Sequence, residues 1–424
     1  MACPWLRQCR RWSANCASTS LLETVRHFNG RAAPPSSATS SVGRTSRSPG
    51  PGSEGQLSAQ PTRTHLKTFN PTTSLQHNSR LLTPTLQSCR RRQYLHTDVK
   101  LKDPYTLAQK DLTNLYDDIR KELFVSKEEL KSLCDYYFDG KGKAIRPMIV
   151  ILMARALNAH SNRSGDLLPG QRTIAMIAEM IHTASLVHDD VIDGSDQRRG
   201  KRTINELWGE KKAILAGDFI LSTASMAMAR IGDNTVVKVM SQVMEDLVRG
   251  EFMQLGSKEN ENERFKHYLE KTFKKTASLI ANSCKAVCVQ VNSDPEVHEI
   301  AYKYGENIGI AFQLVDDVLD FTSGASHLGK PSAADLKLGL ATGPVLFACQ
   351  QFPELHAMIM RRFSSKGDID RAWQYVLQSD GVEQTKYLAQ RYCEEAIRQI
   401  SMLRPSAERD ALIRVTEMVL TRDK

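Results

Sequence analysis

The strongest chemical signal in this sequence is an acidic pattern that occurs twice. Each copy reads Asp-Asp-x-x-Asp within apolar sequence, and its first and last aspartates share one face if the segment is helical. Carboxylates in such surroundings are costly unless cations meet them, and their oxygens suit Mg2+, which completes its shell with substrate phosphates. Two facing helices of this kind predict a diphosphate held through magnesium. The predicted metal ligands are Asp189, Asp190, Asp193, Asp316, Asp317 and Asp320.

Basic side chains near the first acidic copy are of the types that bind phosphate. Arg198 and Arg199 follow that copy closely, and arginine binds phosphate through two parallel hydrogen bonds. Such a pair in a loop is commonly solvated surface, but its place after three carboxylates favours a diphosphate clamp. Upstream, Lys143 and Arg146 lie at a glycine-rich helix start before Pro147, where backbone amides and the helix dipole favour anions.

Further candidate groups are spaced along predicted helices. His182 precedes Asp189 by about two helical turns and so faces the same side. A lone histidine on an apolar helix is commonly a core residue, but this position favours contact with a ligand. Lys275 and Thr276 lie in the middle of a helical pattern, and Lys330 follows the second acidic copy, where it could close over phosphate.

Two other pairs have a structural interpretation. Lys271 and Lys274 are interpreted as a solvated basic face beside Lys275. Gly305 and Gly309 would each cost a helix about 1 kcal/mol relative to alanine. We therefore expect these glycines to permit a close approach between two helices.

The elements that must position these groups are helices. From about residue 103 onward, apolar residues recur at helical spacing almost throughout, and strand signals are nearly absent. No internal linker is long enough to separate domains. The pattern predicts an all-α fold in which residues 95–424 form one large single-domain helical bundle around a central cavity. The longest predicted helices are 148–157, 171–191, 213–231, 236–255, 265–291 and 297–321.

The first 94 residues have a different composition. Residues 1–95 contain 13 Lys and Arg but only two acids, Glu23 and Glu54, whereas the whole chain has a net charge of only +9. The basic character therefore belongs to this segment, and it gives no support for nucleic-acid binding by the remainder. An Arg- and Ser-rich, acid-poor start indicates a disordered mitochondrial transit peptide over residues 1–94, with cleavage near Tyr94 and a destination in the matrix. The alternative is a disordered basic tail.

Cysteine spacing and hydropathy narrow the function further. Cys284 and Cys288 lie one helical turn apart without a second Cys/His pair, so we expect core thiols rather than a zinc site. No apolar stretch approaches the ~20 residues of a membrane span. Any contact with the inner membrane would therefore be peripheral.

In this order and spacing, the motifs resemble those of the trans-isoprenyl diphosphate synthase family across roughly residues 100–424. The resemblance is carried by the two acidic motifs, the Lys143–Pro147 segment, the Arg198–Gly200 segment and the Lys275-Thr276 pair. It implies the isoprenoid synthase fold and Mg2+-dependent condensation of isopentenyl diphosphate onto an allylic diphosphate (farnesyl or geranylgeranyl). The implied product is a long all-trans polyprenyl diphosphate of about nine to ten units, made for the ubiquinone side chain.

The resemblance also implies roles for single residues. Isopentenyl diphosphate would be held by Lys143, Arg146, His182 and Arg199. The allylic diphosphate would be held through the six aspartates and neutralised by Arg198, Lys275 and Lys330. Thr276 and Gln313 would point oxygen dipoles at the allylic carbons, which makes Lys275, Thr276 and Gln313 the predicted catalytic residues. Small residues at Ala184 and Ser185, five and four positions before Asp189, would leave room for a long product.

Two positions depart from the family pattern. Ala144 stands where the family has an arginine, and Leu340 stands where it has a lysine that commonly contacts phosphate. One interpretation is that a second polyprenyl synthase subunit completes the enzyme as a hetero-oligomer. The alternative is that this chain is itself a non-catalytic or conditionally active partner subunit, although such chains typically lose aspartates and this one keeps all six. A terpene cyclase would lack the Lys-x-x-Arg-Pro segment.

Overall fold

The computed structural model of the chain describes residues 103–124, 128–139, 142–198, 200–256, 261–291, 293–322 and 333–422. The predicted transit peptide and its cleavage position lie outside these ranges. Two predicted phosphate-binding residues, Arg199 and Lys330, also lie outside them.

The described residues fold almost entirely into helices, which confirms the predicted all-α class. The helices are α1 (Pro104–Leu112), α2 (Leu115–Glu122), α3 (Glu128–Tyr137), α4 (Ile145–His160), α5 (Pro169–Ile192), α6 (Ile204–Trp208), α7 (Glu210–Arg230), α8 (Asn234–Leu255), α9 (Glu261–Thr272), α10 (Ser278–Val289), α11 (Pro295–Thr322), α12 (Ala334–Lys337), α13 (Gly343–Ala348), α14 (Glu354–Met360), α15 (Asp368–Gln378), α16 (Gly381–Ile400) and α17 (Ala407–Thr421). The only strands in the described ranges are β1 (Gln197–Arg198) and β2 (Lys201–Arg202), which pair antiparallel.

Polar caps set the starts of the helices that matter for the site. The backbone N–H of Leu168 donates to the side chain of Gln171 at 2.9 Å, and a proline occupies the first turn of α5. The Asp233 carboxylate accepts from the N–H groups of Thr235 and Val236, so α8 begins after it. Such caps satisfy backbone donors that have no partner within the helix.

The longest helix, α11, is the central element of the bundle. It packs most extensively against α16 and α10, while α10 also packs against α8 and α4. On the other side, α5 packs between α4 and α7. A large hydrophobic core joins these helices and includes the buried thiols of Cys284 and Cys288, as expected. The helix that ends in the first acidic motif and the helix that carries the second are therefore both core elements.

Two glycines bring α11 very close to α10, as the sequence predicts. A Cβ atom at Gly305 would lie 2.6 Å from the Cα of Ala281, and one at Gly309 would lie 2.5 Å from the Cα of Ala277. Both neighbours are backbone atoms that cannot rotate away. Only glycine therefore fits at these positions without moving a helix.

The structure differs from the sequence prediction in two elements. The predicted continuous helix over 265–291 contains a π-helical segment, Phe273–Ala277, between α9 and α10. The β1–β2 hairpin lies where only an irregular break is predicted, and Gly200, at φ +75°, adopts the left-handed conformation that a tight hairpin needs. Both elements carry groups that belong to the predicted site.

One described helix, α7, is long and apolar enough to cross a membrane by length and composition alone. The prediction that no apolar stretch approaches the length of a membrane span does not hold for this helix. The core helix of a soluble protein passes the same test, so the observation is weak evidence for a span. Only 44% of its most apolar stretch is buried, which leaves apolar side chains on the surface.

Candidate active site

The first acidic motif lies at the C-terminal end of α5. Asp189 and Asp193 are partly buried, and Asp193 caps the helix with its N–H donated to the carbonyl of Asp189 at 2.9 Å. The pKa of Asp189 is raised to about 6, chiefly by burial and also by the nearby carboxylates of Glu251 and Asp193, while Lys275 opposes the shift. Burial also raises the pKa of Asp193. The ionised forms of these two carboxyl groups are therefore destabilised by burial and by neighbouring negative charge.

The middle aspartate of this motif has a different environment. Asp190 is fully buried, and its two oxygens accept hydrogen bonds from different side chains. The Tyr137 hydroxyl donates to Oδ2 at 2.9 Å, and Arg198 donates to Oδ1 from Nε and Nη2 at 2.8 and 2.7 Å. Asp190 thus fixes Arg198, and it holds the β1–β2 hairpin against the end of α5.

The second acidic motif lies near the C-terminal end of α11. Asp317 is buried, and it accepts from the Tyr268 hydroxyl and from Nε2 of Gln313, the latter at 2.9 Å. Asp320 accepts from the backbone N–H groups of Ala334 and Asp335, at 3.1 and 3.3 Å. The middle aspartates of both motifs therefore have a tyrosine partner and a nitrogen donor.

The first aspartate of this motif is more open. The Asp316 side chain is 42% exposed and forms an ion pair with Arg422 at 2.9 Å. The Arg422 guanidinium also lies 3.7 Å from the centroid of the Phe312 ring and donates to the Phe312 carbonyl. A residue at the end of α17 thus reaches the second acidic motif.

The π segment carries the predicted catalytic lysine and threonine. A π-helical turn contains one extra residue, which rotates the side chains that follow it, and such turns are frequent at functional sites. Lys275 Nζ donates to Glu251 Oε2 at 2.5 Å and to Gln254 Oε1 at 3.1 Å. Lys275 is also close enough to Asp189 and Asp193 to lower the pKa of both carboxyl groups. It therefore lies beside the first acidic motif.

The interpretation of Lys271 and Lys274 as a solvated basic face is wrong. Lys274 Nζ forms an ion pair at 3.0 Å with Asp246, whose side chain is buried. Burial lowers the pKa of Lys271, and the nearby carboxylates of Asp317 and Asp335 oppose this effect. The helical turns from α9 into the π segment therefore face the interior with Lys271 towards the second motif and Lys275 towards the first.

Thr276 and Gln313 form one hydrogen-bonded chain with the second motif. The Thr276 hydroxyl donates to Gln313 Oε1 at 2.9 Å, while Gln313 Nε2 donates to Asp317 Oδ1. Since an ionised carboxylate only accepts hydrogen bonds, Asp317 fixes which way the Gln313 amide points. Thr276, Gln313 and Asp317 therefore form one ordered hydrogen-bonded unit.

Of the residues predicted to bind isopentenyl diphosphate, the structure brings two together. Arg146 Nη1 lies 2.9 Å from His182 Nε2. Because arginine can only donate, this ring nitrogen accepts, and the imidazole is neutral in this arrangement. Lys143 is exposed just before α4. Ala144, which replaces the family's arginine, precedes α4 in a left-handed conformation at φ 46°.

The second departure from the family pattern has basic neighbours. Leu340, which replaces a lysine, lines a small cavity together with Arg264, Lys271 and Arg362. Arg362 has a left-handed backbone at φ 54°, and its guanidinium lies against the Gly339 backbone. Positive charge is therefore supplied around this loop from other elements.

The two predicted chain-length residues lie in different environments. Ala184 is fully buried within the main core, whereas Ser185 is only partly buried and donates from Oγ to the His182 carbonyl at 2.9 Å. Because Ser185 is partly exposed, a larger side chain is accommodated more readily there than at Ala184.

The donor set fits a divalent cation, although the described side chains do not form a ready-made cage. In the described ranges, no cluster of three or more His, Cys, Asp or Glu side chains is arranged to hold a metal ion. Mg2+ needs only one or two protein carboxylates when substrate phosphates and water complete its shell. The raised pKa of Asp189 and Asp193 reflects burial and, next to it, the neighbouring carboxylate of Glu251, and a bound cation would relieve both effects.

Sequence reasoning missed several residues of this site. Tyr137 and Tyr268 lie far in sequence from the aspartates they contact, and single tyrosines carry no recognisable spacing. Glu251 gave no signal for the same reason, because one glutamate on a polar helix face is unremarkable. Arg422 lies in a C-terminal segment for which the motifs predict no role.

The all-α bundle, with two acidic helix ends on either side of a basic π segment, defines the class of synthases that act on prenyl diphosphates. Residues 127–376 match the polyprenyl synthetase family, and the chain belongs to that family. It is 72% identical over 329 residues to the human all-trans-polyprenyl-diphosphate synthase, covering 78% of this chain and 79% of the human one.

Other relatives are more distant but cover similar lengths. A probable mitochondrial hexaprenyl pyrophosphate synthase from Yarrowia lipolytica is 39% identical, over 78% of this chain and 87% of its own. Decaprenyl-diphosphate synthase subunit 1 from Schizosaccharomyces pombe is 43% identical, over 75% and 91%. A solved structure of polyprenyl synthase from Caulobacter crescentus, complexed with calcium and isoprenyl diphosphate, superposes with a TM-score of 0.69. It is 29% identical and covers 76% of this chain and 97% of that one.

Proposed function

We propose that this chain is the catalytic chain of a Mg2+-dependent all-trans polyprenyl diphosphate synthase that adds isopentenyl diphosphate units to an allylic diphosphate. The observation that carries this proposal is the π segment, which presents Lys275 to the first acidic motif and Thr276 to a glutamine held by the second. A non-catalytic partner subunit would have no need for this arrangement, and the family membership favours a working enzyme.

At the allylic end, the chain's own residues stabilise opposite charges. Departure of diphosphate leaves an allylic cation, and the oxygens of Thr276 and Gln313 would stabilise it without forming a covalent bond. Lys275, Arg198 and Lys330 would neutralise the departing diphosphate. Because Asp190 already binds Arg198 on one edge, the guanidinium is oriented before the substrate arrives.

The second substrate, isopentenyl diphosphate, would be held by Arg146, His182, Lys143 and Arg199. Its alkene attacks the allylic carbon, a carbon–carbon bond forms, and a proton is lost to restore a double bond. The departed diphosphate is a suitable base because it is already in place and negatively charged. His182 lies 2.9 Å from Arg146 and would contact the same diphosphate group of isopentenyl diphosphate.

Magnesium would be held by the more open carboxylates of the two motifs, chiefly Asp189, Asp193 and Asp316, and would supply positive charge to the leaving diphosphate. Asp190, Asp317 and Asp320, which are predicted as ligands too, accept hydrogen bonds from other protein groups. Their oxygens would instead hold the surrounding basic and amide groups in position.

The product is proposed to be a long polyprenyl diphosphate of decaprenyl type for a quinone side chain. Support comes from the small residues at Ala184 and Ser185 and from the relatives, one of which is named as a decaprenyl-diphosphate synthase. The basic, acid-poor first 94 residues support import into the mitochondrial matrix, and a relative is named as mitochondrial.

A second polyprenyl synthase subunit is the proposed partner, and α7 with α8 is its proposed docking surface. Large apolar side chains on these two neighbouring helices are exposed, and we call this set the α7–α8 face: Leu215, Met226, Val248, Phe252 and Leu255. Phe252 is 72% exposed and Leu215 is 63% exposed. Several large apolar side chains this exposed on two neighbouring helices are typical of an interaction site.

Charge on this surface favours a protein partner over a membrane. Glu245 and Arg249 form an exposed ion pair on α8, and Asp218 lies exposed on α7. Anionic lipid attracts purely basic surfaces, whereas a mixed polar rim around an apolar centre is typical of subunit interfaces. A relative named as subunit 1 supports the same proposal. Peripheral binding to the inner membrane remains the competing outcome.

The test is product analysis with purified protein that lacks residues 1–94. Farnesyl diphosphate, radiolabelled isopentenyl diphosphate and Mg2+ are incubated with the chain alone and with a second polyprenyl synthase subunit. We expect a ladder of long all-trans products, strongest with the partner. A chain that gives no labelled prenyl product under either condition would contradict the proposal.

A further inference from the structure

The Lys275 ammonium is held by two side chains of α8 to which no role in the reaction has been given. Its Nζ lies 2.5 Å from Glu251 Oε2 and 3.1 Å from Gln254 Oε1. The Lys275 and Glu251 side chains are only 20% and 17% exposed. An ion pair this shielded is much less screened by water and salt than a surface pair.

The backbone of α8 is adapted to this contact. Gly250 precedes Glu251, and a Cβ atom at Gly250 would lie 2.7 Å from Lys275 Cγ and 3.2 Å from the Lys275 backbone nitrogen. Only glycine therefore lets the lysine stem pass so close to α8. The π turn brings Lys275 to this point, and Gly250 leaves room for it.

Glu251 brings a further carboxylate close to the first acidic motif. Its carboxylate raises the pKa of both Asp189 and Asp193, so it adds negative charge beside a site that must bind a diphosphate. Lysine has four rotatable bonds, and fixing its side chain on substrate binding costs conformational entropy. A carboxylate that fixes the ammonium beforehand removes that cost from substrate binding.

We propose that Glu251, assisted by Gln254, is a positioning residue that holds the Lys275 ammonium beside the first acidic motif, ready for the allylic diphosphate. This inference rests on the proposed function and deepens it. Glu251 acts through Lys275, and Gln254 offers a neutral oxygen that keeps the ammonium oriented when the diphosphate draws it away from Glu251. The opposite idea, that Glu251 competes with substrate for Lys275, predicts the reverse effect on affinity.

The experiment compares Glu251→Gln with the wild type in equilibrium binding of farnesyl diphosphate and in steady-state elongation. Glutamine keeps the size and one oxygen but removes the charge. We expect affinity for farnesyl diphosphate to fall about tenfold and kcat to fall as well, with the KM for isopentenyl diphosphate nearly unchanged. Glu251→Asp, which keeps the charge, should recover part of the loss. Glu383→Gln, which removes an exposed carboxylate paired with Lys386 on α16, is the matched control and should behave as wild type.

A double-mutant cycle with Lys275→Met separates positioning from a general structural role. If Glu251 acts through Lys275, Glu251→Gln should cause no further loss once Lys275 is absent. Gln254→Leu leaves every charge intact and should give a smaller loss with the same dependence on Lys275. This variant keeps the test decisive if Glu251→Gln fails to fold.

Each result supports or overturns the inference. Wild-type affinity in Glu251→Gln, tighter binding, or losses that add to those of Lys275→Met would overturn it. A wild-type protein that binds farnesyl diphosphate but forms no elongated product would instead contradict the proposed function, and the binding cycle would still decide the role of Glu251.

Discussion

Among single residues, the three aspartates of the first motif have unlike environments. Asp190 is buried and accepts hydrogen bonds on both oxygens, whereas burial and the Glu251 carboxylate raise the pKa of Asp189 and Asp193. A carboxyl whose pKa is raised in the folded state destabilises that state when it is ionised. Asp189 therefore lowers the stability of the metal-free protein, which is a common property of functional groups.

The first prediction follows from the pKa of about 6 for Asp189. In the presence of a chelator, Asp189→Asn should raise the free energy of unfolding by about 2 kcal/mol above pH 6 while abolishing elongation. Because the folded pKa lies above the unfolded value of about 3.9, the gain should shrink as the pH falls through 6 and vanish near 4. Chemical denaturation at several pH values measures it. A variant less stable than wild type at pH 7.5 would contradict the prediction.

The second prediction concerns the chain-length positions. Ser185→Phe should shorten the product ladder with little loss of stability, because this side chain is only partly buried. Ala184→Phe should lower the melting temperature, because an extra ring in a packed core costs about 1–3 kcal/mol. Chromatography of the dephosphorylated products and thermal melts separate the two effects. An unchanged ladder from Ser185→Phe would show that the product does not grow along α5.

At this scale, the residue types of the site could be predicted from sequence, but their pairing could not. The aspartates, Lys275, Thr276 and Gln313 stand in spaced motifs. Nothing in local spacing indicates that Tyr137 binds Asp190 or that Tyr268 binds Asp317, because these contacts depend on how separate helices pack.

Among the helices, the contact between α10 and α11 decides where the π segment lies. Gly309 of α11 touches Ala277, the last residue of that segment. The third prediction is therefore that Gly309→Ala shifts the π segment, lowering both the melting temperature and the affinity for farnesyl diphosphate. Gly165→Ala is the control, since a Cβ atom there meets nothing within 4 Å. Equal melting temperatures for the two variants would refute the close-approach account.

The fourth prediction concerns the end of α17. Arg422→Met removes the ion pair with Asp316 and the hydrogen bond to the Phe312 carbonyl. We expect faster hydrogen exchange in the last turn of α17, with little change elsewhere in that helix. Mass spectrometry of peptic fragments measures the exchange. Wild-type protection in that turn would mean that Arg422 does not anchor the C-terminal helix.

Long helices could be predicted because apolar residues recur over many turns with Gly or Pro at their ends. The π segment could not, because one inserted residue leaves the apolar pattern of Phe265–Val291 nearly unchanged. The hairpin was missed since each strand has only two residues. The burial of Lys274 could not be predicted for a related reason, because its buried partner, Asp246, lies on another helix.

For the whole molecule, the α7–α8 face is the feature that a single chain leaves unexplained. The fifth prediction is that Leu215→Glu combined with Phe252→Glu weakens association with a second subunit, because buried charges in an apolar interface are costly. Leu377→Glu, at another exposed leucine on α15, should not. Sedimentation velocity of the mixed subunits distinguishes these results. Unchanged assembly with loss of vesicle binding would assign the face to a membrane.

The account depends most on one claim, that the two acidic motifs bind an allylic diphosphate through magnesium. The direct measurement is calorimetric titration with farnesyl thiodiphosphate, a slowly reacting analogue, with Mg2+ and with a chelator. Wild-type protein should bind tightly only with Mg2+, and the double variant Asp189→Asn/Asp316→Asn should lose that metal-dependent affinity while remaining folded. Equal affinity with and without Mg2+, or wild-type affinity in the double variant, would contradict the account.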